Sequence, residues 1–250
     1  MSGDHFSSRE VEMHNFEPVE ISTKEDLVDF WLCVMKNHEQ WLSFDDDQRE
    51  AAAKICASDS FFEIQLVANG RIQDKFHYFV IKNNGSIIAT CKADIEDFRG
   101  QRVAYITALS VDEDSRGRGL APKIIHACEK AAQEEGCEVA SLDVDCDNPI
   151  SLVTNLKEGY RLVKMNSSVL VKTSANKKES SFFVLEKLLT RQDDFDPKSG
   201  KIGELSEVNL ADKETVNKHL KDGYVGIDIK NIGDPKDNSP ENWILILEKK

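Results

Sequence analysis

The apolar positions of this chain recur first at helical spacing and then at strand spacing. Leu27, Phe30, Trp31 and Val34 return every three or four residues, which places their side chains on one face of an α-helix. Ser22 and Glu25 stand just before them in the spacing of a capping box, so the pattern predicts a first helix to about residue 38. The stretch DDDQREAAAKICA predicts a second helix, its leading acids suited to the positive end of the helix dipole. From residue 76 the period becomes two. KFHYFVIKNNGSIIATCKADI reads as two strands joined at Asn83-Asn84-Gly85, a strong hairpin signal. A turn at Arg99-Gly100 leads into RVAYITALSV, a third strand read as antiparallel to the second.

The order then becomes strand, glycine loop, helix and strand. The helix is expected over 118–135, with Leu120, Ile124, Ile125, Cys128 and Ala132 on one face and Gly136 as its stop, before the strand EVASLDVD. Asn148-Pro149 opens a short helix to Lys157; Gly159 and strands near 160–173 and 181–188 follow. Beyond residue 190, TRQDDFDPKSGKIGE reads as a linker. The tail then echoes what came before. LVTNLKEGYRLV and VNKHLKDGYVGI share LKxGY at an offset of 223 − 159 = 64, and FFVLEK is matched by ILILEK. The expected organisation is a flexible leader over 1–18, a domain over 19–190, and a region over 191–250 made of the linker and a helix–strand–strand appendage that partly repeats 148–188.

With 250 residues and 40% hydrophobic content, the chain can bury one large core or a domain plus an appendage. A formal charge of −13 argues against nucleic acid as a partner, since that role needs a basic face to neutralise phosphates. It suits solubility, and it would also attract a cationic amine. The six cysteines form no CxxC pair and most lie in apolar runs, as reduced core cysteines do. The N-terminus is polar with no secretory signal, and no apolar run approaches the roughly 18 residues of a membrane helix. The expected setting is cytoplasmic, with the nucleus also open, and away from membranes. His5, His14, His38, His77, His126 and His219 show no metal-ligand spacing, and His126 is read as structural. Asp143, Asp145 and Asp147 imitate the start of a calcium loop, but Asn148-Pro149 replaces its glycine and Thr154 its bidentate glutamate, so no metal is expected.

Ser115-Arg116-Gly117-Arg118-Gly119-Leu120-Ala121 is the chemically pointed segment. Backbone N–H groups in the first turn of a helix lack intrahelical acceptors, and glycines remove the Cβ atoms that would hold a phosphate away. Arg116 and Arg118 would add charge for a diphosphate. A dinucleotide fold is disfavoured by the missing third glycine, the intervening Asp112-Glu113-Asp114 and the antiparallel strands before the loop. A P-loop is disfavoured as well, since it would need GxxxxGK[ST], which is absent.

These residues resemble the GNAT acetyltransferase superfamily. Its pattern is a strand ending in an apolar residue, a few polar residues, then [RQ]xxGx[GA] opening a helix; Val111 and Arg116-Gly117-Arg118-Gly119-Leu120-Ala121 match it. Further on, the family's apolar–x–apolar strand, Asn, small residue and Gly-[FY] are met by Leu142, Val144, Asn148, Ser151, Gly159 and Tyr160. The resemblance covers about residues 20 to 190. It implies an α/β (α+β) fold: a mixed, mainly antiparallel twisted sheet with helices on both faces and a V-shaped splay between two central strands, here 103–111 and 138–145. It further implies that acyl-coenzyme A lies in the splay. The N–H groups of Arg116, Gly117, Arg118, Gly119, Leu120 and Ala121 would cradle its pyrophosphate. The backbone of Leu109, Ser110 and Val111 would pair with the pantetheine arm, and Asn148, Ser151 and Asn155 would line the lower part.

Two departures from the family bear on the chemistry. Many members carry a glutamate on the first of the splayed strands as a base; here the stretch is Thr107-Ala108-Leu109. Many carry a tyrosine four residues before Gly-Phe that protonates the leaving thiolate; here that place is Asn155. Asp143 and Asp145 share one side of their strand, opposite Leu142 and Val144, and Asp145 is the candidate catalytic carboxylate. The resulting expectation is an N-acetyltransferase moving acetyl from acetyl-CoA to a primary amine by direct attack, releasing coenzyme A. The acceptor is a small-molecule amine, a protein lysine or an N-terminus, and a homodimer is compatible with the sequence. The alternatives are an acyl-CoA-binding module without turnover and a transferase of a longer acyl group.

Overall fold

The structure is a computed structural model. It describes residues 16–38, 44–69, 74–98, 100–172, 177–189, 203–234 and 237–250, the side chains of 167–180 excepted. The expected linker lies mostly outside these residues, as do Arg99 and most of the leader. Among the described residues, a single ten-stranded sheet organises the chain.

β1 (Val19–Ile21) pairs with β2 (Lys75–Asn83), which forms an antiparallel hairpin with β3 (Ser86–Phe98). Asn84 and Gly85, at φ 49° and 83°, make the turn between them, so the two-residue hairpin read from the sequence is present with both central residues left-handed. The leader is less loose at its end than expected: Phe16 packs against the core and Glu17 pairs with Lys123 at 3.1 Å. α1 (Lys24–Asn37) is capped one residue later than the sequence suggested. Thr23 rather than Ser22 accepts the Asp26 N–H, at 3.2 Å. α2 (Asp46–Ala68) runs well beyond the predicted stretch and opens on a full capping box between Asp45 and Gln48.

β4 (Gln101–Val111) is antiparallel to β3 and parallel to β5 (Val139–Asp145), with α3 (Leu120–Glu134) between them in sequence. α3 buries Leu120, Ile124, Ile125, Cys128 and Ala132, against Phe79, Ile81, Cys91, Ala93, Ile95, Ala104 and Ile106 of the sheet. α1 and α2 pack on the other face, over Tyr78 and Val80. Alternation along β2 thus feeds two cores, which is why its run of apolar residues is continuous.

α4 (Pro149–Lys157), β6 (Arg161–Lys172) and β7 (Lys177–Leu188) complete the first part, with β7 between β5 and β6. The tail contains β8 (Leu205–Asn209), α5 (Lys213–Lys221), β9 (Tyr224–Asn231) and β10 (Trp243–Lys249). The echo therefore includes a strand before the helix that the sequence reading lacked, short and half polar. The offset of 64 holds atom for atom at the helix entry. Asn148 accepts the Ser151 N–H at 3.0 Å and Asp212 accepts the Thr215 N–H at 3.0 Å. Three residues earlier in each motif, Asp145 Oδ1 accepts from Asp147 N at 2.8 Å and Asn209 Oδ1 from Ala211 N at 2.9 Å. Gly159 and Gly223, at φ 91° and 87°, end the helices. The strands run β5-β7-β6 and then β9-β10-β8, so the second set is the first in reverse. The sets meet at equivalent residues, Leu162 opposite Gly226. A Cβ at Gly226 would lie 2.8 Å from Leu162 Cβ, so glycine on one side makes the junction fit.

Candidate functional site

The glycine loop is built by backbone conformation. After the 3-10 turn at Glu113–Ser115, Gly117 and Gly119 take φ of 74° and 72°, a region that costs other residues about 1 kcal/mol. The helix consequently starts at Leu120, two residues later than the sequence suggested, with Gly119 as its N-cap and no side chain capping it. Among the described residues, the N–H groups of Gly117, Arg118 and Gly119 donate to no backbone carbonyl. Those of Leu120 and Ala121 lie in the first turn, where no intrahelical acceptor exists. Pro122 has no N–H to leave unpaired. A Cβ at Gly117 or Gly119 would meet nothing within 4 Å. The loop is an open nest of donors at the positive end of a helix, a form that fits an anion such as a diphosphate.

The arginines tie this loop down. Arg116 Nε donates to Val111 O at 3.2 Å and its Nη2 to Asn37 Oδ1 at 3.5 Å. Arg118 Nη2 donates to Asp114 O at 3.1 Å. Both side chains are exposed and keep further donors for a ligand.

The splay is explicit in the register. β4 and β5 pair only from Val103↔Val139 to Tyr105↔Ser141, although β4 continues to Val111 and β5 to Asp145. A bulge in β4 lies just past this point, because Thr107 faces Lys92 and Ser110 faces Thr90, leaving Ala108 and Leu109 opposite Cys91 alone. Ala108 sits at φ 49°, a conformation rare for a residue with a Cβ and concentrated at functional sites. Thr90 Oγ1 donates to Ala108 O at 2.9 Å, satisfying the carbonyl that the bulge turns away. The sequence holds no glycine here to announce a bulge, so pattern reading passed over it.

Leu109 and Val111 pack partly against the α3 core, and Ser110 is buried near Cys33. β4 thus brings the three predicted residues to the unpaired stretch directly before the nest. On β5, Leu142 and Val144 are buried toward α3 while Asp143 is exposed and Asp145 half-buried. Asp143 hydrogen-bonds to Tyr105; burial first and this carboxylate second push the phenol well above its usual range. Asp145 uses Oδ1 to hold the Asp147 N–H, and Asn209 does the same with an amide, so an acceptor rather than a charge is what that turn requires.

Asn148 spends its Oδ1 on the α4 cap. Asn155 is buried and donates from Nδ2 to Ser151 O at 2.8 Å and Ser151 Oγ at 3.4 Å, with Oδ1 unpaired. Its amide is turned to its own helix, where it orients Ser151. His126 pairs with Glu158 at 2.8 Å on the surface. His38, which the sequence reading set aside, hydrogen-bonds to the backbone of Leu109. Among the described residues, no group of three His, Cys, Asp or Glu is arranged to hold a metal. No described helix is long and apolar enough to cross a membrane.

Residues 30–152 match the model of the acetyltransferase (GNAT) family. No curated protein matches the chain. Among solved structures, a phosphinothricin acetyltransferase of Sinorhizobium meliloti in complex with acetyl-CoA is similar at TM-score 0.51 and 12% identity, over 70% of this chain and 89% of that one. A probable acetyltransferase of Staphylococcus epidermidis is similar at TM-score 0.51 and 14% identity, over 69% and 98%. At such identities the likeness is one of fold.

Proposed function

The chain belongs to the GNAT family of acetyltransferases, and from that premise we propose that it transfers an acetyl group from acetyl-CoA to a primary amine within a ternary complex. One observation carries the reading: an open donor nest at Gly117–Ala121 lies directly downstream of a strand that has parted from its neighbour. Acetyl-CoA supplies an activated thioester whose carbonyl carbon the amine attacks.

The N–H groups of Gly117, Arg118, Gly119, Leu120 and Ala121 would hold the pyrophosphate, with Arg116 and Arg118 contributing charge. The unpaired edge of β4 over Leu109, Ser110 and Val111 would bind the pantetheine amides as an added strand. A backbone N–H next to the bulge would face the thioester oxygen, where negative charge develops. Ser151, oriented by Asn155, and Asn148 would flank the lower end of the arm. Asp143 and Tyr105 stand at the mouth of the splay, and with the overall charge of −13 they favour an acceptor that arrives as a cation. The acceptor is a small-molecule amine, a lysine side chain or an N-terminus.

Titration calorimetry with acetyl-CoA, followed by thiol release against a panel of small amines, lysine peptides and free N-terminal peptides, tests the reading. Micromolar binding and amine-dependent release are expected. Absence of acetyl-CoA binding would overturn it.

A further inference from the structure

Thr90 is fully buried on β3, opposite Ser110 of β4. Its hydroxyl donates to Ala108 O at 2.9 Å. β3 and β5 flank β4 on opposite sides, so this contact draws the Ala108 carbonyl to the side away from β5. The peptide that follows is trans, and the carbonyl and N–H of a trans peptide point in opposite directions. The Leu109 N–H is therefore directed to the β5 side. There it meets no ladder partner, because the pairing of β4 with β5 ends at Tyr105↔Ser141. The left-handed φ of 49° at Ala108 is disfavoured for a residue with a Cβ, and such conformations persist where their surroundings over-determine them. Ala108 packs against the core under α1 and α2, Leu109 against the α3 core, and Thr90 holds the carbonyl between them.

We propose that Thr90 is a positioning residue for acyl transfer: through the Ala108 carbonyl it aims the Leu109 N–H at the oxygen of the thioester. This rests on the acyl-transfer reading above and assigns the donor that reading needs. As the amine nitrogen bonds to the carbonyl carbon, an electron pair moves onto that oxygen, and the Leu109 N–H stabilises the charge. The C–S bond then breaks with its pair on sulfur, and the proton lost by nitrogen reaches the thiolate through water. Amine and thioester become amide and free thiol. A donor fixed before the charge develops needs no reorganisation when it does. A flip of the 108–109 peptide would take the N–H out of the gap. The Thr90 hydroxyl opposes that flip, because the half-buried carbonyl would lose its donor. The role requires the hydroxyl and not the methyl of threonine, so serine should serve and valine should not.

The test compares wild type with Thr90→Val, Thr90→Ser and Thr90→Cys as full-length proteins. Valine keeps the shape and removes the hydroxyl; serine keeps the donor, and cysteine keeps a weaker one. Acetyl-CoA carrying carbon-13 at the thioester carbonyl is bound without amine, its affinity read by calorimetry and its carbonyl resonance by NMR. Polarisation by an N–H moves that resonance downfield. Wild type and Thr90→Ser are expected to show the displacement, Thr90→Cys less of it and Thr90→Val none. Thiol release is followed with the best acceptor of the panel, or with water where no amine serves. Affinity should change less than about threefold in every variant, while kcat falls most in Thr90→Val, by about 100-fold, the effect of losing one oxyanion donor. A threonine that only supports the strand would instead show a lower urea midpoint with resonance and kcat kept, and that result overturns the role of Thr90. Should Thr90→Val not fold, the other three proteins decide: equal displacement and equal kcat in wild type, Thr90→Ser and Thr90→Cys overturn it. Wild-type protein that binds acetyl-CoA with no displacement overturns the Leu109 donor alone. Wild-type protein that binds no acetyl-CoA overturns the transfer reading and this proposal together.

Discussion

Residues 139–188 and 205–249 follow one plan, and the first adjoins the stretch where β4 and β5 part. Each has a strand, a side chain that holds the next turn, a capped nine-residue helix, a left-handed glycine and two further strands. The difference is in the neighbour. β5 has β4 alongside, paired for three residues and then parted from it, whereas β8 is the edge of the sheet. Among the described residues, nothing equivalent to α3 and its glycine loop precedes the second set. Two stretches with the same local geometry therefore differ in chemistry because the donors and the gap come from outside the repeated unit. The comparison also separates architecture from function within the first set. Where Asp145 and Asn209 make the same turn, the shared property is an acceptor oxygen, and the extra charge of Asp145 is not needed to build it.

Three experiments probe this contrast. The largest effect is expected at the nest, which the second set lacks. Gly119→Glu puts a carboxylate into the open space where the diphosphate would sit, and acetyl-CoA affinity should fall more than about 100-fold by calorimetry, the scale of one unfavourable charge in an anion site. Gly119→Ala, with the same backbone strain and no charge, separates electrostatics from misfolding; equal losses in the two would count against the nest. Next comes the junction. Gly226→Leu makes the two sets alike where they meet and forces a Cβ to 2.8 Å from Leu162 Cβ. Overpacking of that kind costs about 2 kcal/mol, read as a lower urea midpoint, and Leu162→Gly in the same chain should recover part of it. If the single variant is as stable as wild type, the sets do not meet as tightly as this geometry requires. The smallest effect is expected from Asp145→Asn, which gives the first set the second set's side chain. Stability should move by less than about 0.5 kcal/mol, and kcat/KM by less than about threefold. A hundredfold loss would return Asp145 to the chemistry.

Much of the scaffold was legible because the relevant signals act over a few residues. The Asn84-Gly85 turn, the buried face of α3 and the cap at Asn148 each follow from a short pattern with a definite backbone demand. The donor loop was legible for the same reason, since Gly117 and Gly119 both require left-handed conformations. Errors were also local. The first cap fell on Thr23 instead of Ser22 because either hydroxyl satisfies the rule, and packing of Leu27 and Phe30 chose the phase.

The sequence by itself determined the order and type of most elements, though not β1 or β8, together with the glycine loop and the echo of LKxGY in the tail. Tertiary structure alone decided where β4 bulges, where it leaves β5, and that His38 reaches Leu109 across 109 − 38 = 71 residues of chain. The physical reason is range. A left-handed glycine or an apolar period is enforced by atoms within a turn of the residue itself. A bulge with alanine at positive φ depends on Thr90, on the neighbouring strand, to satisfy its carbonyl.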